Sequence, residues 1–359
     1  MAEPAGATGT ATAPALAELT TLRLGGPARR TVVASTESQL VDTVRACDES
    51  GEPVLLVAGG SNLVVADEGF AGTVVVIRTR GVHVDQDACS GAMVTVAAGE
   101  TWDDLVARAV AEGWVGIEAL SGIPGSVGAT PVQNVGAYGQ EVAETVASVR
   151  CWDRVTGGVR TFFAADCGFG YRHSRFKAEP DRYVVLEVTF QFRLGDLGAP
   201  VQYAELARTL GVQPGERASA DAVRRAVLGL RAGKGMVLDE QDHDTWSAGS
   251  FFTNPFMDAA TADALPEDAP RWPQPDGRVK SSAAWLIEHA GFGKGYGNER
   301  VSLSTKHTLA LTNRGGASTA DLLALAGEVQ RGVAERYGVW LVNEPVLVGC
   351  SLRASGPRR

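Results

Sequence analysis

Apolar and polar residues follow two different periods along this chain. Period-two alternation or a short continuous apolar run predicts a strand, whereas apolar residues three or four positions apart predict a helix. The strand pattern occurs at 30–35, 54–57, 72–79, 181–194 and 339–349. The helical pattern occurs at 36–51, 219–233 and 318–338, and the pattern of 93–113 predicts a strand followed by a helix. This mixture of strands and helices predicts an α+β protein.

Two of the predicted helices begin with residues that favour a helix start. Thr36 and Gln39 have the spacing of a capping box. Thr101 precedes the helix of 93–113, with Asp104 three residues further on. We therefore expect each threonine hydroxyl to accept a hydrogen bond from a backbone N–H in the first turn.

Two stretches of the chain differ in composition from the predicted strands and helices. Residues 1–18 are a mixture of Ala, Thr, Pro and Gly without the basic start and apolar run of a signal peptide, and we expect a disordered tail there. No stretch approaches the roughly 20 apolar residues that a membrane-spanning helix needs. A Gly- and Pro-containing stretch at 196–216 predicts a connector between a first part, 19–195, and a second part, 217–359.

The overall composition is that of an ordinary globular protein with an acidic balance. Of the 359 residues, 45% are hydrophobic and 21% are charged, and the formal net charge is −9. This charge argues against nucleic acids and membrane surfaces as partners, because proteins that bind them carry a basic footprint. The five cysteines are widely spaced without a C-x-x-C pair, which argues against a disulfide framework and a zinc site. We expect a cytoplasmic protein without a metal.

Two glycine-rich segments are the clearest candidates for binding a ligand. "VLLVAGGSNLVV" (54–65) interrupts an apolar run with two adjacent glycines, and "LSGIPGSVGATPVQNVGAYG" (120–139) carries five glycines. Glycines let the main chain approach a ligand closely and direct N–H groups at it. Two such loops would suit a long ligand with phosphates. The alternative is that both segments are ordinary surface turns. For the first segment this alternative is as good an explanation as ligand binding, but for the second segment it is a poorer one.

Two further glycine-rich stretches do not fit known nucleotide motifs. "GFGKGYG" (291–297) follows a helical pattern and has Tyr296 where a Rossmann fingerprint needs its third glycine. "LRAGKG" (230–235) lacks the Ser or Thr after Lys234 and the glycine spacing of a P-loop. The sequence therefore contains neither of the usual dinucleotide and ATP motifs.

Three other stretches carry side chains with possible chemistry. "FGYRHSRFK" (169–177) concentrates cations, "SAGSFFTNP" (247–255) places Ser250 before two phenylalanines, and Glu344 lies in the apolar stretch 339–349. The alternatives are a solvated basic loop, a turn serine and an edge-strand glutamate, and each is the better explanation of its stretch taken alone. Ser250 also lacks the G-x-S-x-G context of a hydrolase nucleophile.

These stretches together resemble one enzyme family. "GGSNLVV", "GIPGSVGATPVQNVGAYGQEV", "FGYRHSRFK", "AGSFFTNP" and "VKSSAAWLIEHAG" occur in the order found in the UDP-N-acetylenolpyruvoylglucosamine reductases, MurB, of bacterial peptidoglycan synthesis. The resemblance covers about residues 19–350. It implies a PCMH-type (vanillyl-alcohol-oxidase-like) FAD-binding region of two subdomains at 19–195, a connector with a tyrosine loop at 196–216, and an α+β substrate-binding domain at 217–359.

The resemblance also implies the ligands. They are FAD, NADPH as the reductant, and the enolpyruvyl ether of UDP-N-acetylglucosamine, which would be reduced to UDP-N-acetylmuramate. Neither 58–63 nor 122–139 contains a His or Cys for a covalent flavin link, so FAD is expected to be non-covalent. The implied cofactor-binding residues are Gly59, Gly60, Ser61, Asn62, Gly122, Ile123, Pro124, Gly125, Ser126, Gly128, Ala129, Asn134, Gly136 and Tyr138.

The roles of the reacting side chains are carried over in the same way. Arg172 would bind and stabilise the substrate carboxylate, Ser250 would donate the proton, and Glu344 would be the catalytic glutamate. The implied substrate-binding residues are Tyr203, Lys234, Asn254 and His307, the last in place of a glutamine found in some members.

The surroundings of Glu344 depart from the family pattern. Val342 stands where an acidic residue is frequent, Asn343 follows it, and Pro345 stands where a β-branched residue is common. Two other functions stay open: another PCMH-type flavin oxidoreductase acting on an alcohol or lactone, and a sugar-nucleotide-binding scaffold without activity. The arginine, serine and glutamate set favours the reductase. We expect a monomer.

Overall fold

The computed structural model describes residues 15–352. Most of the predicted disordered tail, 1–18, lies outside the described residues. The prediction of disorder was wrong for 15–18. Leu16–Leu19 forms a short 3-10 helix in which Leu16 is fully buried against the first sheet. This part of the chain is ordered because the apolar side chains of Leu16 and Leu19 pack against the sheet.

A small parallel sheet and one helix begin the described chain. Its strand order is β1-β4-β2, and β3 lies outside it. The elements are β1 (Ala28–Ala34), α1 (Glu37–Ser50), β2 (Val54–Val57), β3 (Leu63–Val65) and β4 (Phe70–Ile77). The hydroxyl of Thr36 accepts from the N–H of Gln39, as expected, while the Gln39 side chain accepts from Ser35 instead of closing a capping box with Thr36.

A larger antiparallel sheet follows, with strand order β11-β10-β12-β6-β5, and β7 pairs with β12. Its core contains the apolar sides of these strands and of α2. The elements are β5 (Val82–Asp87), β6 (Gly91–Ala97), α2 (Trp102–Ala111), β7 (Trp114–Val115), β8 (Gly136–Ala137), β9 (Gln140–Glu141), β10 (Val146–Asp153), β11 (Gly158–Phe163), α3 (Arg175–Ala178) and β12 (Tyr183–Leu194). The expected cap of α2 was wrong, because the Thr101 side chain makes no capping hydrogen bond.

The predicted connector contains a helix, α4 (Ala204–Leu210), and Tyr203 is the residue at its N-cap. The next helix, α5 (Ala220–Gly233), packs on α4 and shares a small apolar cluster with Ala119 of the first part. The ion pair of Arg224 with Asp103 on α2 ties it there too. The chain therefore changes its packing partner after α5, whereas the sequence predicted the change at 216.

The remaining elements surround a second apolar core under a long helix. They are β13 (Phe256–Met257), α6 (Ala259–Asp263), β14 (Arg271–Pro273), β15 (Val279–Ser281), α7 (Ala283–His289), β16 (Val301–Leu303), β17 (Leu311–Asn313), α8 (Thr319–Tyr337) and β18 (Val346–Val348). The described helices include none that is long and apolar enough to cross a membrane.

The end of the described chain returns to its beginning. β18 pairs in parallel with β3, so the last strand joins the first part of the molecule. The predicted strand at 339–349 is wrong before residue 346. Pro345 has no N–H for a sheet ladder, and the N–H of Glu344 instead donates to the carbonyl of Phe251 at 2.8 Å. Glu344 therefore lies on an irregular extended segment. This segment leads from the second apolar core to β18, which pairs with β3 in the first part of the molecule.

Candidate active site

The two glycine-rich segments lie directly against each other. Ser61 Oγ donates to the carbonyl of Pro124 at 3.0 Å. A Cβ on Gly59 would stand 2.5 Å from Gly125 Cα, so only glycine allows this approach. Gly60 has a φ of 60°, and a Cβ there would meet the carbonyl of Leu19 at 1.8 Å. The loops thus form one surface, which independent surface turns would not do.

This surface has polar groups without partners. The N–H groups of 59–62, and those of Gly125 and Ser126, donate no hydrogen bond within the described residues. The hydroxyl of Ser126 is buried and also has no partner there. A buried hydroxyl such as that of Ser126 is normally paired, and successive N–H groups without a protein partner can form a nest for an anion. The residues present therefore fit the diphosphate of FAD.

Not every predicted cofactor residue contributes a free group. The N–H of Gly128 donates to the carbonyl of Ala98, and a Cβ on Gly128 would meet Ala98 Cβ at 2.4 Å, so this glycine serves packing against the end of β6. The N–H of Ala129 donates to the carbonyl of Ser126. Ile123 and Pro124 complete the loop, and Pro124 lines a small cavity with Gly249.

A chain of charges holds the second loop from behind. Asp103 accepts the N–H of Gly122 at 2.6 Å and is itself held by two bonds from Arg224. Gly122 has a φ of 70°, which glycine tolerates. The ion pair and the backbone bond lower the pKa of Asp103 although burial opposes them.

Arg231 is a candidate that the sequence did not reveal. It lines the cavity that Pro124 and Gly249 share, and its Nε is buried without a partner in the described chain. Burial lowers the pKa of its guanidinium. A desolvated cation beside an anion nest fits a phosphate group. The only signal was its place three residues before Lys234, in a stretch that we rejected as a P-loop.

Arg172 lies at the tip of a tight turn after β11. Its Nη2 donates to the carbonyl of Gly136 at 2.5 Å and its Nη1 to the carbonyl of Asn134 at 3.4 Å. Its Nε lies 3.2 Å from Oε1 of Glu344. The structure thus brings together Arg172 and Glu344, which are far apart in sequence, at the rim of the second glycine loop.

The chain segments that carry Glu344 and Ser250 also lie side by side. The chain around Ser250 runs antiparallel to the one around Glu344, because Phe251 accepts the N–H of Glu344 and Phe252 bridges Asn343. Burial raises the pKa of Glu344, and Arg172 opposes that rise. The carbonyl of Glu344 accepts from the Asn62 side chain at 3.5 Å, which connects this centre to the first glycine loop.

The departures beside Glu344 have separate consequences. Val342 is exposed, and its carbonyl accepts the N–H of Thr253. The Asn343 side chain donates to the carbonyl of Pro345, which closes the turn before β18. The unusual residues therefore make the extended segment and leave the carboxylate of Glu344 facing Arg172.

Asn134 and Asn254 have structural partners. Both amide hydrogens of Asn134 are used, on Glu141 and on the carbonyl of Gly170, so this side chain supports the turn of Arg172 rather than a cofactor. Oδ1 of Asn254 accepts the N–H of Ala283, which leaves its NH₂ group for a ligand.

Tyr138 lies with the predicted substrate residues. Its ring meets Tyr203 edge-on at 5.5 Å between centroids, and Lys234 Nζ lies 5.6 Å from its centroid. Lys234 also pairs with Glu205 at 2.5 Å. These neighbours of Tyr138 belong to the connector and to the C-terminal end of α5. They therefore give no support to the predicted contact between Tyr138 and the cofactor.

His307 completes this second cluster. Burial, followed by the charges of Lys234 and Lys294, lowers the pKa of His307 to about 4. Its ring is therefore neutral at physiological pH and can donate as well as accept a hydrogen bond. Lys294, in the glycine-rich stretch that we set aside, is a second lysine of this region that sequence reasoning did not select. Among residues 15–352 no group of His, Cys, Asp and Glu side chains is arranged to hold a metal ion.

Comparison with known proteins identifies the family. A family model described as an FAD binding domain matches residues 28–162, and one described as the C-terminal domain of UDP-N-acetylenolpyruvoylglucosamine reductase matches 240–348. The UDP-N-acetylenolpyruvoylglucosamine reductase of Cutibacterium acnes is 60% identical over 340 residues, which cover 94% of this chain and 90% of that protein. The chain belongs to this reductase family.

Further relatives agree with that assignment. The reductase of Streptomyces avermitilis is 57% identical, with 94% of each chain covered. The crystal structure of the Thermus caldophilus reductase (MurB) matches with a TM-score of 0.63 at 24% identity and covers 93% of this chain and 97% of that one. The expected fold class, a PCMH-type FAD-binding region followed by an α+β C-terminal domain, is confirmed.

Proposed function

We propose that this chain reduces UDP-N-acetylenolpyruvoylglucosamine to UDP-N-acetylmuramate with NADPH as the reductant and FAD as the bound cofactor, in the synthesis of peptidoglycan precursors. The observation that carries the proposal is the partly buried ion pair of Arg172 and Glu344 beside the Ser250 segment and the glycine loops. Family membership supplies the reaction, and this arrangement supplies the groups that it needs.

The chemistry that bound FAD would supply is the transfer of hydride between NADPH and the substrate. The free N–H groups of 59–62 and the Ser126 hydroxyl hold its diphosphate, and Arg231 adds a positive charge. Because these are non-covalent contacts, the flavin dissociates from the unfolded chain.

Arg172 binds the carboxylate of the enolpyruvyl group. Hydride adds to the terminal carbon, and negative charge then develops on the neighbouring carbon and its carboxylate. The Arg172 guanidinium is already fixed by two carbonyls and by Glu344, so little reorganisation is needed when the charge appears. Its planar fork suits a carboxylate better than an ammonium does.

Ser250 donates the proton that completes the reduction. Its neighbours along the chain, Phe251 and Phe252, are buried, and Ser250 itself is partly exposed. A serine is a weak acid, but an enolate is a strong base, and positioned proton transfer typically contributes about 10²–10⁴ in rate. Glu344, with its raised pKa, shares a proton with the developing enolate.

The nucleotide part of the substrate binds in the cluster at α4 and α5. Tyr203 and Lys234 bond the diphosphate, and the neutral His307 binds a neighbouring polar group. Asn254, four residues after Ser250, offers its NH₂ group to another part of the substrate. We also propose a monomer that works in the cytoplasm, where NADPH and sugar nucleotides are available.

An absorbance experiment tests the proposed function. The purified protein should be yellow, should release its flavin on heat or acid denaturation, and should be bleached by NADPH without oxygen. Adding UDP-N-acetylenolpyruvoylglucosamine should restore the oxidised spectrum with one equivalent per flavin. The alternative enzyme would have its reduced flavin reoxidised by the oxidised form of an alcohol or a lactone substrate. Such reoxidation, without reoxidation by the enolpyruvyl sugar nucleotide, would indicate another flavin oxidoreductase.

A further inference from the structure

The turn that carries Arg172 has an unfavourable backbone conformation. Gly170 and His173 exchange both backbone hydrogen bonds, at 3.0 and 3.1 Å, so Tyr171 and Arg172 form the tip of a two-residue turn. Arg172 has a φ of 50°. Turns of this kind usually place Gly or Asn at that position, because other side chains meet their own backbone there. The surrounding structure must therefore hold Arg172 in place.

One charged group contacts the backbone of this turn. Nζ of Lys177 donates to the carbonyl oxygen of Arg172 at 2.9 Å. Lys177 has no carboxylate within ion-pair distance in the described chain, so this carbonyl is its close polar partner. A hydrogen bond from a charged donor is stronger than one between neutral groups.

Lys177 is itself fixed from two directions. Its N–H donates to Ser174 Oγ at 3.2 Å, which caps α3. Ser174 Oγ in turn donates to the carbonyl of Val132, on the second glycine loop, at 2.5 Å. Burial lowers the pKa of Lys177, while Glu344 raises it and Arg172 lowers it. The lysine therefore lies between the turn, the loop and the glutamate of the reaction centre.

We propose that Lys177 is a positioning residue for the reaction, which clamps the carbonyl of Arg172 and so holds the arginine in its left-handed conformation facing the substrate carboxylate. The inference rests on the function proposed above. Lys177 acts through Arg172 and does not touch the substrate, so removing Arg172 should abolish its effect.

A double-mutant cycle on the FAD-loaded enzyme tests this. The variants are Lys177→Met, Arg172→Ala and the two combined, and the readout is the dissociation constant of UDP-N-acetylenolpyruvoylglucosamine from the perturbation of the flavin spectrum. Lys177→Met should weaken binding about tenfold in the wild-type background and less than twofold in the Arg172→Ala background, since residues that act through one contact are non-additive. Lys177→Arg, which keeps a charged donor, should recover most of the lost affinity.

Controls separate this role from a general one. Arg175→Met removes another cation from the same short helix and should bind substrate like the wild type. Lys177→Gln, measured in parallel, gives the same comparison if the methionine variant does not fold. The rate of flavin reduction by NADPH and the melting temperature should stay near wild-type values in the lysine variants.

Three results would overturn the inference. An equal loss of affinity in both backgrounds would show that Lys177 acts on the substrate or on the whole fold. Wild-type affinity in Lys177→Met, or parallel losses of melting temperature and NADPH reduction, would remove the positioning role. A wild-type enzyme whose reduced flavin is not reoxidised by the sugar nucleotide would instead refute the proposed function, so the two failures are distinguishable.

Discussion

The two ends of the proposed substrate site are built differently. At the reaction end, the side chains of Arg172 and Glu344 are 20% and 14% exposed and pair across the centre. At the nucleotide end, Lys234 and Glu205 are 30% and 37% exposed, and Tyr203 is 46% exposed. Both ends contain an ion pair, but the side chains of the first pair are less exposed, and its arginine also donates to two backbone carbonyls.

This difference indicates how each end works. In the proposed mechanism, the Arg172–Glu344 pair is part of the reacting set, so it would serve the chemistry without separating. The Lys234–Glu205 pair uses the cation that we propose for the diphosphate, so on this proposal it opens when the substrate arrives. Exposed ion pairs are weak, typically about 0–1 kcal/mol, and exchanging one for a phosphate contact is therefore easy. We infer a preorganised reaction end and a nucleotide end that rearranges.

The largest expected effect comes from the reaction end. Ser250→Ala should slow flavin reoxidation by the enolpyruvyl substrate by about 10²-fold or more, because general-acid help is lost. Flavin reduction by NADPH, which needs no proton from Ser250, should change little. Stopped-flow absorbance measures both half-reactions. Equal slowing of the two would make Ser250 a structural residue and would erase the contrast between the ends.

The nucleotide end should show a smaller effect, confined to binding. Lys234→Ala and Tyr203→Phe should each raise the KM for the sugar nucleotide roughly ten- to a hundredfold, since a charge-assisted hydrogen bond contributes about 1.5–3 kcal/mol. Steady-state kinetics with ferricyanide as the alternative acceptor provides the control. If neither variant changes this KM, the diphosphate does not bind here.

His307 should make the nucleotide end sensitive to acid. Its pKa falls from 6.5 to about 4 on folding. The neutral ring is therefore favoured in the fold, and the resulting stability is complete above pH 6.5 and is lost as the pH falls toward 4.

His307→Gln should reduce that acid-dependent loss by about 1 kcal/mol, a value discounted because the ring is partly exposed. Urea unfolding midpoints between pH 4 and 7 measure it. The exposed His83→Gln is the matched control and should follow the wild type. An unchanged pH dependence in His307→Gln would place the ring in solvent rather than in the cluster.

The smallest effect is the most specific to the rearrangement. Glu205→Gln should lower the KM for the sugar nucleotide by a few-fold, because Lys234 would no longer leave an ion pair worth up to about 1 kcal/mol. Raising the salt concentration should shrink the difference. A KM that rises in Glu205→Gln would mean that the glutamate itself binds the substrate.

How much the sequence could predict differs between these regions for a physical reason. The glycine loops were recognisable because the requirement is local: Gly59 and Gly60 have no room for a side chain. Strands and helices with clear periods were predicted for the same reason. The pairing of Arg172 with Glu344 depends on the return of β18 to β3, which no local pattern contains, and only the family resemblance supplied the roles of these two residues.

The errors also have physical causes. Pro345 shortens the last strand, and the tertiary bond to Phe251 decides its path. Thr101 has a capping residue's identity but makes no capping bond. Arg231 was missed, and so was the contact of Lys177 with a backbone carbonyl, because side-chain spacing indicates neither a distant loop nor a backbone partner.

One measurement tests the division between the two ends most directly. The rate of reoxidation of NADPH-reduced enzyme should be followed against sugar-nucleotide concentration in Ser250→Ala and Lys234→Ala side by side. Lys234→Ala should reach nearly the wild-type rate at saturating substrate, because it weakens recognition alone. Ser250→Ala should have a limiting reoxidation rate about 10²-fold lower than the wild type, because it removes a group used in the transition state. More substrate should not restore that rate. The reverse pattern, or the same limiting rate in both variants, would contradict the account.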